Sequence, residues 1–294
     1  MLDISTDYEL MISNIKKSLA GYLAANPMLK SLVVGLSGGI DSALTCILAA
    51  ETLADIPGVR LIGRSIPIET NTDEETARGE KVGRLFSDSY ETRDLSTAYQ
   101  NLYFELVPED RAEDDSFNEK IRRGNIKARL RMIYLFDLAH AKSGMVLSTD
   151  NLTELLLGFW TLHGDVGNYG LIQNLWKTEV YGLAAHLEDR LRRSGQTEKA
   201  DALNACIDAV PTDGLGITSS DFDQLEVTTY QEADRLLTEH LKDPSAHSDH
   251  PVIRRYQATR FKRNDPVNIR REEILTPVPE NSVQNRTVNT DADQ

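Results

Sequence analysis

The sequence predicts an α/β fold: a doubly wound parallel sheet with helical appendages. Short apolar runs suited to buried strands recur at Leu32-Val33-Val34-Gly35-Leu36, Val59 to Ile68 and Met145-Val146-Leu147. Segments with helical periodicity separate them, and alternating strand and helix is the signature of a parallel sheet. The first strand also feeds a glycine turn, Ser37-Gly38-Gly39-Ile40-Asp41-Ser42, that opens a helix-like stretch.

Taken in order, residues 8–25 read as an amphipathic helix carrying Leu10, Ile12, Ile15, Leu19, Tyr22 and Leu23, and Asn26-Pro27 ends it. After the first strand, Ser42 to Leu53 forms a helix with Leu44, Ile47 and Leu48 inward; Val59 to Ile68 is the second strand and Asp73 to Phe86 the next helix. Val107 to Glu119 is acidic and lacks a pattern, which predicts a mobile surface loop. A long helix from Asn125 to Lys142 leads into the third strand. Ser148-Thr149-Asp150 then falls at a strand C-terminus, where open α/β sheets bind ligands. Residues 179–209 read as helices on a smaller lobe and 221–242 as a further helix pair. Thr276 to Gln294 has no apolar periodicity and reads as a disordered tail, leaving residues 1–275 as one domain.

Composition narrows the function. No run of about 18 apolar residues exists, and Asp3, Asp7 and Glu9 in the first 17 residues do not make a signal peptide, so a cytoplasmic protein without membrane partners is expected. Cys46 and Cys206 lack disulfide-framework or metal-ligand spacing and read as core residues. With 46 acidic and 32 basic side chains the formal charge is −14, which disfavours a nucleic-acid partner.

The turn after the first strand is a phosphate cradle: backbone N–H groups and the positive end of a helix converge on one anion. It lacks the Gly-x-x-x-x-Gly-Lys-Ser/Thr pattern of P-loop nucleotidases. Ser-Gly-Gly-Ile-Asp-Ser resembles instead the loop of the ATP pyrophosphatases, which split ATP into AMP and pyrophosphate. In that reading Gly38 and Gly39 let the backbone approach the phosphates, Ser37 and Ser42 donate hydroxyl hydrogen bonds and Asp41 holds Mg²⁺. The plainer reading is a strand-to-helix turn capped by Asp41 and Ser42.

Further motifs in order are Arg123-Gly124-Asn125 with Ala128-Arg129 and Arg131-Met132, Ser148-Thr149-Asp150 with Glu154, Gly158-Phe159, Gly164-Asp165, Pro211-Thr212-Asp213 and Lys262-Arg263. With the loop they make residues 8–270 similar to the ammonia-dependent NAD synthetases, an adenine nucleotide alpha hydrolase-like, Rossmann-like group. The resemblance implies that ATP adenylates the nicotinate carboxylate of deamido-NAD and that ammonia displaces AMP to give NAD. It implies Mg²⁺ on Asp41 and Glu154, which are also the catalytic pair. It implies ATP contacts from Leu36, Ser37, Gly38, Gly39, Asp41, Ser42, Asn71, Thr149, Lys177 and Thr212. Substrate contacts would come from Tyr22, Arg123, Asn125, Arg129, His163, Asp165, Lys262 and Arg263. It also implies a homodimer built on the N-terminal helix, Tyr22 reaching the neighbouring subunit's substrate.

Read from the residues alone, Glu154 is a helix-cap partner of Asp150 or Asn151, Arg123, Asn125 and Arg129 are a solvated helix face, and Lys262 and Arg263 are surface charge or phosphate contacts. The sequence departs from the family where Ile121 replaces an aromatic residue, Leu162 a lysine, Tyr169 an aspartate, Asn71 a glutamine and Phe261 a histidine. His163 and Asp165, with Trp160 and Tyr169, form either a new acceptor surface or an ordinary loop. The alternative function is a related ligase acting on another carboxylate such as nicotinate mononucleotide.

Overall fold

The computed structural model describes residues 3–107, 116–210, 222 and 225–275. The strands β1 (Ser31–Gly35), β2 (Arg60–Ser65), β3 (Ser89–Thr92), β4 (Gly144–Ser148) and β5 (Tyr169–Gly170) form one parallel sheet in the order β3-β2-β1-β4-β5. The order reverses direction between β1 and β4, the switch point of a doubly wound fold. The predicted fold class is therefore present.

Period-2 alternation decides which residues face which layer. Leu32 and Val34 of β1 and Met145 and Leu147 of β4 join the large core, whereas Val33 and Val146 point into a separate cluster with Ile62 and Ala139. The large core is closed by α1 (Tyr8–Ala25), α2 (Ile40–Leu53), α3 (Asp73–Phe86), α7 (Lys177–Arg193) and α8 (Thr197–Ile207). The opposite face is covered by α5 (Phe117–Ala141), whose Leu135, Phe136 and Leu138 pack on Val33 and Val146. Local chemistry fixes the ends. Asp7 caps α1 by accepting the Leu10 N–H at 3.1 Å, and Thr72 with Glu75 forms a reciprocal capping box at α3.

Several expectations are corrected. α7 and α8 do not sit on a smaller lobe: Val180, Leu183, Leu187 and Leu203 are fully buried in the large core beside α2. A second cluster does exist, built from Leu157, Trp176, Leu225, Val227, Leu236, Leu237, Val252 and Ile253. It joins α6 (Leu152–Leu157) to the helices Tyr230–Lys242 and Pro251–Ala258; within 221–242 the described residues Phe222 and Leu225 are also helical, ahead of the helix Tyr230–Lys242. The stretch from Val107 to Glu119 is not all surface loop either. Val107 is buried, and α5 begins at Phe117 with Ser116 as its cap and Glu119 buried against Arg122. The middle of that stretch, residues 108–115, lies outside the described residues, as does the predicted tail.

Cys46 and Cys206 are buried free thiols, as expected of core residues. Burial pushes the Cys46 thiol up to about 12 and that of Cys206 up to about 11, which keeps both unreactive.

Because α7 belongs to the main core, Leu183→Ala should cost about 2–5 kcal/mol through the cavity it leaves. Scanning calorimetry of the variant checks this, and a loss under about 1 kcal/mol would place α7 outside that core.

Candidate active site

A cavity of about 440 Å³ opens at the C-terminal ends of β1 and β4. Its position follows from topology, because chain segments leaving β1 and β4 diverge and leave a crevice between them. From β1 come Leu36, Ser37, Gly39, Asp41 and Ser42; from β4 come Thr149, Asp150 and Glu154; α7 adds Lys177.

The loop is braced from within. The hydroxyls of Ser37 and Ser42 lie 3.2 Å apart, Ser42 Oγ donates to the Gly39 carbonyl at 3.0 Å, and the Gly39 N–H donates to Ser37 Oγ at 3.2 Å. Gly39 caps α2 without a side chain, leaving the helix N-terminus open toward the cavity. Gly38 does not line the cavity. Its φ of +86° and a Cβ that would stand 2.1 Å from the Glu75 carbonyl oxygen explain the glycine, so its role is to pack the turn on α3. Arg78 of α3 holds the Gly38 carbonyl at 3.0 Å and lines the cavity.

Lys177 lies between the two predicted metal ligands. Its Nζ donates to Asp41 Oδ2 at 2.5 Å and to Glu154 Oε1 at 2.7 Å, and it faces the Tyr230 ring 5.2 Å from the centroid. Burial opposes its charge, yet the carboxylates of Asp41 and Glu154 outweigh that and hold the ammonium well above the ordinary lysine range. Asn151 settles the capping question for Glu154. Its Oδ1 accepts the Glu154 N–H at 3.0 Å while its Nδ2 donates to Asp41 Oδ1 at 2.9 Å, so Asn151 is the cap and the Glu154 carboxylate is turned to the site. Asp234 anchors this corner from the second cluster, accepting Thr153 Oγ1 at 2.5 Å and Thr178 Oγ1 at 2.6 Å.

Two hard-oxygen carboxylates that already share one cation beside a phosphate cradle fit Mg²⁺, which takes one or two carboxylates plus substrate phosphates. Among the described residues no group of three or more His, Cys, Asp or Glu side chains forms a metal site. Metal held here would therefore complete its shell with phosphate or water oxygens.

Further from the loop, Asn125 Oδ1 accepts Thr161 Oγ1 at 2.7 Å, and Asp165 Oδ1 accepts the Thr161 N–H at 2.8 Å. Asn71 Oδ1 accepts from Arg131 at 2.7 Å and from the Ile68 N–H at 3.0 Å. Lys262 reaches over the cavity to the carbonyls of Gly158, at 2.7 Å, and Trp160. Gly158 has φ +67°, and a Cβ there would stand 2.6 Å from Thr259, so glycine lets the chain turn under that C-terminal segment. Burial, followed by the charge of Asp165, pushes Asp150 up to about 7.

Six predicted residues stand away from the cavity lining. Besides Gly38, Tyr22 stacks on Tyr169 at 4.9 Å, Arg123 lies over the Tyr103 ring at 5.8 Å, and Arg129 donates to the Leu162 carbonyl at 3.2 Å. His163 is 77% exposed and pairs with Asp265 at 3.1 Å, and Arg263 is tied to the carbonyls of Leu156 and Tyr256. Thr212 lies outside the described residues. Sequence reasoning missed Arg78, Tyr230, Arg255 and Asp234. The first three line the cavity and Asp234 supports it, but each is an ordinary residue in an amphipathic helix with no local motif around it.

The comparisons agree with this architecture. The sequence is 35% identical over 187 residues to the NH(3)-dependent NAD(+) synthetase of Chlorobium phaeobacteroides, an alignment spanning 63% of this chain and 63% of that relative. Against the NH(3)-dependent NAD(+) synthetase of Thermoplasma acidophilum it is 30% identical over 270 residues, covering 90% of this chain and 99% of the relative. The NMN synthetase from Francisella tularensis shares the fold with a TM-score of 0.68 at 23% identity, over 95% of this chain and all of that one, 100%. Residues 11–266 match the NAD synthase family, and the chain is a member of it.

Proposed function

We propose that the chain is an ammonia-dependent NAD synthetase, an ATP-dependent amide ligase that converts deamido-NAD to NAD with release of AMP and pyrophosphate. The observation that carries the reading is the convergence of the Ser37–Ser42 loop, Asp41, Glu154 and Lys177 at the sheet's switch point. Two curated relatives aligned with this chain bear that activity in their names.

Adenylation needs the α-phosphorus held against a carboxylate oxygen while the bond to the β-phosphate breaks. The open N-terminus of α2 and the Ser37 and Ser42 hydroxyls would hold the phosphates, with Thr149 across the crevice and Lys177 and Arg78 supplying positive charge. Asp41 and Glu154 would hold Mg²⁺, which neutralises charge on the departing pyrophosphate. Ammonia then attacks the acyl carbon, the bond to AMP breaks, and ammonium gives up two protons in all. Asp150, buried at the cavity, and Asp165 on its lining are the carboxylates placed to take them. Asn125, Arg131, Lys262, Phe159 and Trp160 would bind the acceptor.

A second reading, with nicotinate mononucleotide as acceptor, is favoured by one observation. The positions where the family carries charge offer here only the Leu162 carbonyl, occupied by Arg129, and the Tyr169 ring, turned onto α1. For the homodimer, support comes from the exposed α1 side chains Leu10 and Tyr22. We place the enzyme in the cytoplasm; among the described residues no helix is long and apolar enough to cross a membrane.

Three outcomes test this. Asp41→Asn keeps the side chain's shape and removes its charge, and pyrophosphate release should fall by about 10²-fold or more; a folded variant with near wild-type turnover would sink the assignment. With saturating ATP, Mg²⁺ and ammonium, kcat/KM for deamido-NAD should exceed that for nicotinate mononucleotide. The reverse order supports the second reading, and refusal of both overturns the ligase. Finally, Asp150 keeps its proton to about 7 in the fold against 3.8 when unfolded. The folded state then binds more protons between those values, so stability falls as pH rises from 4 to 7. Asp150→Asn cannot ionise, and its melting temperature relative to wild type should climb over that window; a constant difference would show that Asp150 is already ionised at low pH.

A further inference from the structure

We propose that Lys177 is a built-in counter-ion that occupies the metal carboxylates until nucleotide phosphate draws it away, so that divalent cation and nucleotide bind as coupled ligands. The inference rests on the reading of Asp41 and Glu154 as metal ligands and adds an order to their use.

The geometry sets the charge balance. One ammonium, 4% exposed, contacts one carboxylate oxygen each on Asp41 and Glu154, whose side chains are 18% and 19% exposed. Two carboxylates and one ammonium sum to −1. Adding a divalent cation alone would leave +1 in a largely desolvated corner, where unbalanced charge is costly. The N-terminus of α7, at which Lys177 is the first residue, adds further positive potential. Phosphate entering with the metal restores the balance.

The same geometry supplies a destination for the lysine. Asp41 is the second residue of α2, beside the Gly39 cap and Ser42, and Lys177 lines the same cavity as they do. An ammonium held 2.5 Å from Asp41 stands next to the cradle, and a flexible four-carbon stem lets it turn from carboxylate to phosphate. The Lys177 N–H donates to Thr153 Oγ1 at 2.8 Å and Asp234 accepts the Thr178 N–H and hydroxyl, so the start of α7 is fixed and the swing involves the side chain alone.

The test uses Mn²⁺ as the probe, followed by electron paramagnetic resonance of the whole protein with and without a non-hydrolysable ATP analogue. Wild type should bind Mn²⁺ about tenfold or more tightly with the analogue than without it. Lys177→Gln should bind Mn²⁺ alone about tenfold more tightly than wild type and lose most of the analogue's enhancement. Equal or weaker Mn²⁺ binding by the folded variant overturns the proposal. Should the variant not fold, the side-chain ammonium resonance of Lys177 in ¹⁵N-lysine-labelled wild type decides. The analogue in EDTA must shift it while Mg²⁺ alone leaves it in place, and a resonance indifferent to nucleotide overturns the proposal. Wild type that binds no Mn²⁺ even with the analogue overturns the metal reading itself, whereas coupled binding with no Lys177 effect overturns only this inference.

Discussion

The ion cluster of Lys177 with Asp41 and Glu154 is the contact on which the rest of the site depends. It joins the first turns of α2, α6 and α7, which are far apart in sequence and meet at one point. A buried lysine between two carboxylates is not there because ion pairs are strongly stabilising; desolvation cancels much of the attraction, and apolar replacements of similar shape often match such clusters. Its value is geometric. Removing one member leaves charge buried and unpaired, so the three helix starts are held in one arrangement, with Asn151 and Asp234 satisfying the surrounding donors and acceptors.

That arrangement is available only because of the strand order. With β1 and β4 adjacent and their following segments running to opposite sides, the loop after β1 and the Ser148-Thr149-Asp150 turn after β4 face each other across the crevice. The α7 and α8 pair then packs on α2 and α3 rather than forming a lobe of its own, which brings Lys177 to the crevice from the side. The second cluster, under α6, carries Tyr230 and Asp234 and closes the remaining edge.

Much of this was legible in the sequence where the signal is local. The glycine turn after an apolar strand, the helix from Asp73 to Phe86 and the polar triplet after β4 are contiguous patterns whose chemistry follows from the chain itself. What escaped depends on long-range pairing. β3, Ser-Tyr-Glu-Thr, is half exposed at the sheet edge and has no apolar run to announce it; β5 has two residues. The placement of α7 was misjudged because its apolar stripe reads the same whether it covers the main core or a separate one. Glu154 reads as a cap partner of Asp150 or Asn151, and spacing alone cannot show that only its backbone N–H fills that part while its carboxylate meets Lys177. Lys177 could be connected to ATP only through the family resemblance, since its partners lie 136 and 23 residues away.

The part of the cavity proposed to hold the acceptor still carries positive charge. Three cations of the expected substrate-contact set, His163, Arg129 and Arg123, are turned elsewhere: His163 to Asp265, Arg129 to a backbone carbonyl and Arg123 to the Tyr103 ring. The cations that do line the cavity there are Arg131, Arg255 and Lys262. Arg255 stacks 3.9 Å from the centre of Phe159 while donating to the Leu157 carbonyl, and Lys262 lies 5.6 Å from the centre of Trp160. Arg255 and Lys262 thus bring positive charge from the C-terminal helices through aromatic contacts, and Arg131 brings it from α5, whereas the loop that contains Leu162 supplies none from that position. Burial, with Arg255 next, holds Lys262 below the ordinary lysine range. An anion bound there would offset the Arg255 repulsion and pair with the buried ammonium, so binding it would stabilise the segment from Arg255 to Lys262. On the proposed reading, acceptor recognition would be tied to the docking of the second cluster, which carries Arg255 and Lys262 to the cavity.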